Sequence, residues 1–327
     1  MKPEVLVIAP IYPPTLAAIE REFTVHKLWE ETDPEAFLAG IADRVRGVVT
    51  VGSHGLGRVR MEALPKLEII GCFGTPYGMV DLDAAQARGV IVTNTPDSIV
   101  EIVADLAMGL VIAVMRRICE TDRFVRAGKW LSAFPPMGTG LTGKTCGIVG
   151  LGGIGAGVAR RAAACGMSVC YHGRREKPGA AWTYCADLEE AARRADCLVV
   201  TCPLTPETRG LVTGRILDAL GPEGFLVNVA RGPVVEEGAL VAALREGRIA
   251  GAGLDVYWDE PRVPGALAGM ENVVLTPHIG SSTKEVRESR GEKLLANLRA
   301  HFSGRPVPHV LTRERDRKPG GQATGRA

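Results

Sequence analysis

A glycine-rich turn between an apolar strand and a helix most constrains how this chain can fold. In "GIVGLGGIGAGVARRAA", Gly150, Gly152 and Gly155 have the spacing GxGxxG, directly after a predicted buried strand. The first glycine permits a tight bend, the second lets a pyrophosphate approach the backbone, and the third lets the helix pack on the strand. The helix N-terminus then offers N–H groups to the phosphates. The turn therefore predicts a dinucleotide site, which also includes Gly153 and Ile154.

Short apolar runs alternate with helical patterns on both sides of this turn. Those before it predict strands at 4–10, 23–29, 45–51, 67–73 and 90–96. Those after it predict strands at 144–150, 167–172, 197–203, 224–230, 249–256 and 272–278. Long helical patterns cover 98–130 and 284–304. The alternation indicates parallel βαβ units, and six strands is the number expected of a complete Rossmann sheet.

Composition excludes several classes of protein. The 327 residues suffice for two domains, and 46% hydrophobic with 23% charged residues is typical of a soluble globular protein. A net charge of +2 predicts no nucleic-acid partner. The longest apolar stretch, 102–115, is too short to span a membrane. The N-terminal run is typical of a strand and not of a signal peptide, so we expect a cytoplasmic protein.

Two further features concern cysteines and the C-terminus. The eight cysteines have irregular spacings, which favours reduced core thiols. No close cysteine pair is matched by a second pair or by a histidine pair, so we expect no metal site. Residues 312–327 lack apolar periodicity and are predicted to be disordered.

The stretch "VCYHGRREK", 169–177, bears on the choice of dinucleotide. About twenty residues after the glycine turn, an NAD site usually has an acidic residue that binds the adenosine ribose. This chain has Gly173, Arg174 and Arg175 there instead. Guanidinium groups bind a 2′-phosphate, which a carboxylate would repel. The stretch therefore predicts NADP(H), with NAD(H) as a weaker cofactor; the alternative is two solvated arginines in an exposed loop.

Polar residues follow three predicted strands in the second half of the chain. Arg231 follows one strand, Asp255 and Glu260 follow the next, and His278 ends the last. Carboxyl ends of parallel strands line the ligand crevice of an open sheet. An arginine, a glutamate and a histidine beside a nicotinamide would suffice for reversible reduction of a 2-keto acid. Taken singly, each of them could be an ordinary surface residue.

Together and in this order, these residues resemble the D-isomer-specific 2-hydroxyacid dehydrogenase family. The resemblance extends to about residue 311 and includes "NTPDSIVEIVADLAMGLVIAVMRR", "CPLTPETRGLV", "NVARGPVVEEGALVAALREGRIAGAGLDV" and "LTPHIGSST". Within the family, the chain looks closest to the NADPH-preferring glyoxylate, hydroxypyruvate and hydroxyphenylpyruvate reductases.

The resemblance implies an α/β fold of two doubly wound parallel-sheet domains. A Rossmann cofactor domain, 98–283, would be inserted into a flavodoxin-like substrate domain made of 1–97 and 284–311. Family members are usually homodimers, and the apolar helix near 98–118 is a candidate interface.

The resemblance also implies a role for each site residue. Arg231 would bind the substrate carboxylate and keto oxygen, His278 would be the general acid, and Glu260 would hydrogen-bond His278. Asp255 would contact the nicotinamide carboxamide. Further cofactor contacts would come from Gly173, Pro203, Thr208, Val229 and Ala230.

The substrate loops leave the natural substrate open. Gly52 and Ser53 lie in one expected substrate loop, and Thr75 and Pro76 occupy a turn where family members commonly have a V-G-x-D-like sequence. In family members, backbone N–H groups of this turn help to hold the substrate carboxylate. Proline has no N–H to donate, so one of these contacts is absent here or is replaced, for example by the Thr75 hydroxyl. A small 2-keto acid such as glyoxylate or hydroxypyruvate is favoured. The alternatives are a larger keto acid of the 2-ketogluconate or phenylpyruvate type, or a dinucleotide-sensing regulatory protein of the same fold.

Overall fold

A computed structural model of the chain describes residues 2–51, 54–74, 80–96 and 99–311. The chain divides into two compact units, Met1–Ser98 with Lys284–Ala327, and Ile99–Thr283. Each unit contains a parallel sheet with helices, which confirms the predicted fold class. The tail predicted to be disordered, 312–327, lies outside the described residues.

Among its described residues, the first unit forms a five-stranded parallel sheet. Its strands are β1 (Glu4–Val7), β2 (Thr24–Lys27), β3 (Val45–Val51), β4 (Ile69–Phe73) and β5 (Ile91–Thr93). They are arranged as β2-β1-β3-β4-β5, which is the flavodoxin-like order. The helices between them are α1 (Pro13–Glu22), α2 (Pro34–Ile41), α3 (Arg58–Glu62) and α4 (Leu82–Ala87).

The second unit, every residue of which is described, has a seven-stranded parallel sheet. Its strands are β6 (Thr145–Val149), β7 (Ser168–His172), β8 (Thr183–Cys185), β9 (Cys197–Val200), β10 (Phe225–Asn228), β11 (Gly251–Leu254) and β12 (Val273–Leu275). The order β12-β11-β10-β9-β6-β7-β8 is the Rossmann order with one strand added. Its helices are α5 (Val100–Met115), α6 (Ile118–Arg126), α7 (Gly153–Ala164), α8 (Leu188–Arg194), α9 (Gly214–Leu220), α10 (Glu237–Arg245) and α11 (Gly265–Ala268).

Both faces of this second sheet are buried, as the apolar strand sequences require. In β9, Cys197 and Val199 pack into a core with α5 and α7. The alternate residues, Leu198 and Val200, pack into a second core with α8, α9 and α10. Helices therefore cover both faces, and only the strand ends are left to build a site.

The C-terminal helix α12 (Lys284–Phe302) returns the chain to the first unit. It packs on β4, where a Cβ added to Gly71 would lie 2.5 Å from Leu294 Cδ1. It also packs on α1, where a Cβ added to Gly291 would lie 2.2 Å from Thr15 Oγ1. Glycines at these two positions allow the close contacts, so both ends of the chain share one unit.

The structure differs from the sequence-based expectation in two places that matter below. The strand β8 makes the second sheet seven-stranded and not six-stranded within the fully described range 99–283. The long helical pattern 98–130 is broken at Arg117, which has a φ of 54° and separates α5 from α6. A left-handed arginine leaves no mark in a hydrophobic pattern, because the pattern reports only which faces are apolar.

Candidate active site

The glycine turn between β6 and α7 has the close packing that its sequence predicts. Gly150 has a φ of 98°, and a Cβ there would lie 2.8 Å from Cys202 Cα. A Cβ on Gly155 would lie 2.3 Å from the Gly150 carbonyl oxygen. Neither position accepts a side chain, so α7 starts directly against the sheet.

The N-terminus of α7 can receive an anion. Gly152 is the N-cap, and the first helical bond is donated by the Ala156 N–H to the Gly152 carbonyl, at 2.9 Å. The N–H groups of Gly153, Ile154 and Gly155 therefore have no hydrogen-bond acceptor within the helix. A Cβ on Gly152 would meet nothing within 4 Å, so the space beside the turn is open. This cradle fits the pyrophosphate of a dinucleotide.

Arg174 and Arg175 follow β7 and are exposed. Neither lies within 4.0 Å of a carboxylate in the part of the chain that the structure describes. Elsewhere in the same unit, arginines form ion pairs, as Arg161 does with Glu101 and Asp105. The two guanidinium groups are thus available to an incoming anion.

The loop after β9 contains Pro203 and Thr208. The Thr208 hydroxyl donates to the Pro203 carbonyl at 2.7 Å and accepts from the Thr205 N–H at 2.7 Å. Thr208 therefore closes this loop on itself. The pKa of Glu207 is lowered, chiefly by a hydrogen bond from the Thr205 side chain and in smaller part by the charge of Arg174. Glu207 is a negative charge close to the arginines that sequence analysis did not identify.

Arg231 lies at the carboxyl end of β10, where Asn228 shapes the turn. Asn228 is buried, its Oδ1 accepts from the Ala230 N–H at 3.0 Å, and its Nδ2 donates to the Arg231 carbonyl at 3.0 Å. Val229 and Ala230 are also buried. Arg231 itself is exposed, and its Nη1 donates to the Ala230 carbonyl at 2.6 Å.

Asn228 was not among the site residues predicted from the sequence. The available signal was a polar residue at the end of an otherwise apolar strand, "FLVN", immediately before the turn. Such a buried amide needs hydrogen-bonding partners, and the turn supplies them. The next residue after Arg231, Gly232, is also required, because a Cβ there would lie 2.2 Å from the Tyr257 carbonyl oxygen.

Glu260 and His278 form a hydrogen-bonded pair beyond β11 and β12. Glu260 Oε2 lies 2.6 Å from His278 Nδ1, and the side chains are 34% and 45% exposed. An ionised carboxylate only accepts hydrogen bonds, so Nδ1 carries the proton and Nε2 is left for exchange with a ligand. The sequence-predicted contact between these two residues is present in the structure.

Tyr257 connects this pair to the sheet. Its N–H donates to Glu260 Oε1 at 3.0 Å, and its hydroxyl donates to the Thr276 carbonyl at 2.9 Å. Burial raises the pKa of Tyr257 to about 12, with the charges of Asp255 and Glu260 adding to the effect. The hydroxyl therefore stays protonated as a donor at neutral pH.

Asp255, at the end of β11, is 1% exposed and holds the turn that contains His278. Its Oδ1 accepts from the Thr276 hydroxyl at 2.6 Å and from the Ile279 N–H at 2.8 Å. Its Oδ2 accepts from the Gly280 N–H at 2.8 Å. These partners lie on both sides of His278, which has a φ of 53°. The predicted contact of Asp255 with a nicotinamide stays a prediction, and its observed role is to fix this turn.

The sheet thus brings together the catalytic candidates of the second unit. Strands β10, β11 and β12 are neighbours, and Arg231, Glu260 and His278 follow them in that order. The predicted substrate-loop residues Gly52, Ser53 and Thr75 lie outside the described residues. Across the described ranges, no group of three or more His, Cys, Asp or Glu side chains could hold a metal ion. Over the same residues, every helix is too short or too polar to cross a membrane.

Comparisons with known proteins agree with this geometry. The sequence profile described as "D-isomer specific 2-hydroxyacid dehydrogenase, NAD binding domain" matches residues 108–280. The chain is 45% identical to the hydroxyphenylpyruvate reductase of Plectranthus scutellarioides, over 93% of this chain and 97% of that one. It is 43% identical to glyoxylate/hydroxypyruvate reductase A of Arabidopsis thaliana, over 88% and 92%.

A solved structure is similar over nearly the whole chain. The NADPH-dependent glyoxylate/hydroxypyruvate reductase of Sinorhizobium meliloti, in complex with NADP and malonate, superposes with a TM-score of 0.79. It is 40% identical and covers 95% of this chain and 97% of its own.

Proposed function

The chain belongs to the D-isomer-specific 2-hydroxyacid dehydrogenase family, and from that premise we propose that it reduces a small 2-keto acid with NADPH. The product would be the D-2-hydroxy acid, and the favoured substrates are glyoxylate and hydroxypyruvate. The observation that carries this proposal is the hydrogen bond between Glu260 Oε2 and His278 Nδ1, which are 2.6 Å apart. These two residues follow β11 and β12, and Arg231 follows the neighbouring strand β10.

Three side chains transfer the proton and bind the negatively charged substrate. NAD(P)H, when bound, supplies the hydride that reaches the keto carbon. His278, protonated on both ring nitrogens, gives its Nε2 proton to the keto oxygen as the hydride reaches the keto carbon, so the C=O bond becomes C–OH, and neutral His278 takes that proton back on Nε2 in the reverse direction. Glu260 keeps Nδ1 protonated and the imidazole ring oriented. Arg231 binds the substrate carboxylate and polarises the keto oxygen with its fork of donors.

The second unit supports the assignment of the cofactor. The open turn at Gly152 and the N–H groups of Gly153, Ile154 and Gly155 would hold the pyrophosphate. Arg174 and Arg175 would bind a 2′-phosphate, which favours NADP(H) and leaves NAD(H) as the weaker cofactor. The second unit is therefore the cofactor domain and the first unit the substrate domain in this proposal.

The test compares NADPH with NADH in turnover assays on glyoxylate, hydroxypyruvate, phenylpyruvate and 2-ketogluconate. We expect NADPH to be preferred, and the double variant Arg174→Ala/Arg175→Ala to lower that preference about 10- to 100-fold, because charge-assisted hydrogen bonds to the phosphate are lost. Arg245→Ala, which removes an exposed arginine at the end of α10, is the matched control. A wild-type preference for NADH would contradict the assignment of the cofactor.

The ranking of substrates decides between size classes. The 45% identity to a hydroxyphenylpyruvate reductase favours an aromatic keto acid as the second candidate. Faster turnover of phenylpyruvate than of glyoxylate would select it. Folded protein that binds a dinucleotide but turns over none of these acids would instead support a regulatory role for the fold.

We also propose that the chain forms a homodimer, through residues 118–137 and not through α5. The apolar residues of α5, such as Val103, Ala107 and Val111, are already buried in their own unit. Large exposed hydrophobic side chains follow it instead: Ile118, Val125, Trp130, Leu131, Phe134 and Met137. A contiguous stretch of this kind marks an interaction surface, and a second copy of the chain would cover it.

Light scattering after size exclusion tests the dimer. The wild type should have the mass of two chains, and Leu131→Glu/Phe134→Glu should have the mass of one. Val59→Glu, which changes an exposed apolar residue in the other unit, is the control and should stay dimeric. A monomeric wild type would refute this part of the proposal.

A further inference from the structure

Two tyrosines on neighbouring strands contact the loop that contains Arg174 and Arg175. Tyr171 of β7 and Tyr184 of β8 are register partners, with ring centroids 5.4 Å apart and ring planes inclined by 48°. Tyr171 is fully buried and Tyr184 is half-buried. β8 is the strand that the sequence pattern did not predict, and it pairs with β7 alone in this fully described unit.

Each tyrosine hydroxyl bonds one end of the arginine loop, which we define as residues 173–177. Tyr171 Oη accepts from the Lys177 N–H at 2.9 Å. Tyr184 Oη donates to the Gly173 carbonyl at 3.2 Å. The loop is therefore tied to the sheet at its first and last residues, while Arg174 and Arg175 lie between these two bonds.

This arrangement fixes the backbone of the loop and leaves the arginine side chains free. Both guanidinium groups are exposed, and neither has a carboxylate within 4.0 Å among the residues that are described. A long side chain on a fixed backbone loses less conformational freedom when it binds a ligand than one on a mobile loop. Preorganisation of this kind strengthens binding without adding a contact to the ligand.

We infer that Tyr171 and Tyr184 are positioning residues that determine recognition of the 2′-phosphate. They touch no part of the nucleotide in this inference and act only through the backbone of the arginine loop. The inference rests on the proposed preference for NADPH. It assigns a function to β8, because without that strand the Gly173 carbonyl would lose its bond to Tyr184.

A purely structural role makes a different prediction. If the tyrosines only stabilised β7 and β8, loss of their hydroxyls would lower the midpoint temperature of unfolding and weaken the binding of all adenine nucleotides to the same extent. A positioning role affects the phosphate-bearing nucleotide selectively. Adenosine 2′,5′-bisphosphate and 5′-AMP differ by that one phosphate, so the ratio of their dissociation constants is the decisive quantity.

The experiment measures binding of these two nucleotides by titration calorimetry to the wild type, Tyr184→Phe and Tyr171→Phe. Phenylalanine keeps the ring contacts and removes only the hydroxyl. We expect each variant to bind adenosine 2′,5′-bisphosphate about three- to tenfold more weakly, while 5′-AMP changes less than twofold. Tyr12→Phe, which removes a tyrosine hydroxyl from the other unit, is the matched control and should change neither.

The outcomes separate this inference from the proposed function. A wild type that binds both nucleotides equally well refutes the preference for NADPH and the inference with it. A wild type that discriminates, with Tyr→Phe variants that discriminate equally well, refutes the inference alone. If Tyr171→Phe fails to fold because that ring is fully buried, the half-buried Tyr184 decides the matter by itself.

Discussion

At the ends of β11 and β12, Glu260 and His278 are bonded to each other at 2.6 Å, whereas Arg174 and Arg175 after β7 have no carboxylate in ion-pair range among the described residues. Both regions follow the carboxyl ends of strands in one parallel sheet, the first near the β12 edge and the second near the β8 edge. In the first region, the side chains of Glu260 and His278 are hydrogen-bonded to each other. The other has only its backbone bonded, at Gly173 and Lys177.

The difference agrees with the tasks that the proposed function gives to the two regions. A histidine that transfers a proton needs a fixed tautomer, so a permanent carboxylate partner is useful. An arginine that receives a phosphate would have to break any existing ion pair first, and breaking a pair costs part of the binding free energy. Under the proposed function, the hydrogen bond of Glu260 to His278, the proposed proton-transfer pair, fixes side chains, whereas the two tyrosine bonds fix the main chain of the arginine loop.

The largest effect should come from breaking the proton-transfer pair at its acid. His278→Asn removes the proposed general acid, so kcat should fall by a factor of about 10² to 10⁴. Binding of NADPH, followed by fluorescence, should change less than threefold because the arginine loop is untouched. His309→Asn, in the other unit, is the control. Retention of more than a tenth of wild-type kcat would show that another group supplies the proton.

A smaller effect should come from loosening the turn that holds His278. Asp255→Asn replaces a buried acceptor of three hydrogen bonds by an amide with one acceptor oxygen. The free energy of unfolding should fall by roughly 1–3 kcal/mol, and kcat by about tenfold, because the imidazole is less well held. Urea denaturation and steady-state kinetics measure both.

The control for this variant is Asp218→Asn, which changes an exposed carboxylate of α9 paired only with Arg248. It should leave the unfolding transition and kcat close to wild type. Equal behaviour of the two variants would mean that the hydrogen bonds of Asp255 do not position His278.

The sequence predicted more of the proton-transfer region than of the arginine loop. Arg231, Glu260 and His278 have distinctive residue types in the segments that follow apolar strands, and their strands are found side by side. The two arginines were also visible, because they replace an expected carboxylate. The two bonds that hold the loop were not predicted: the bond of Tyr184 to Gly173 requires β8, a three-residue edge strand with one neighbour, and the bond of Tyr171 to Lys177 depends on the conformation of the loop.

The remaining misses have the same physical origin. The side chain of Asn228, which was not predicted, bonds backbone groups whose positions are set by the turn and not by the residue pattern, and the same holds for the bonds of Asp255, a residue that was named for a different contact. The break at Arg117 depends on a single left-handed residue. Periodicity reports which face of an element is buried, and it carries no information on such single backbone conformations.

The smallest effect concerns the charge beside the arginine loop. The pKa of Glu207 is lowered, first by a hydrogen bond from Thr205 and in smaller part by the charge of Arg174, so an ionised Glu207 would repel the 2′-phosphate of the proposed cofactor. Glu207→Gln should tighten binding of adenosine 2′,5′-bisphosphate about two- to threefold at low salt, and less at high salt because exposed charges are screened. Glu223→Gln, near Lys144 and before the amino-terminal end of β10, is the control. Calorimetry at two ionic strengths measures both variants. Unchanged or weaker binding at low salt would mean that Glu207 helps to orient Arg174 and does not compete with the phosphate. The arginine loop would then also have a side chain, Arg174, that is positioned by a carboxylate before the ligand binds, as His278 is by Glu260.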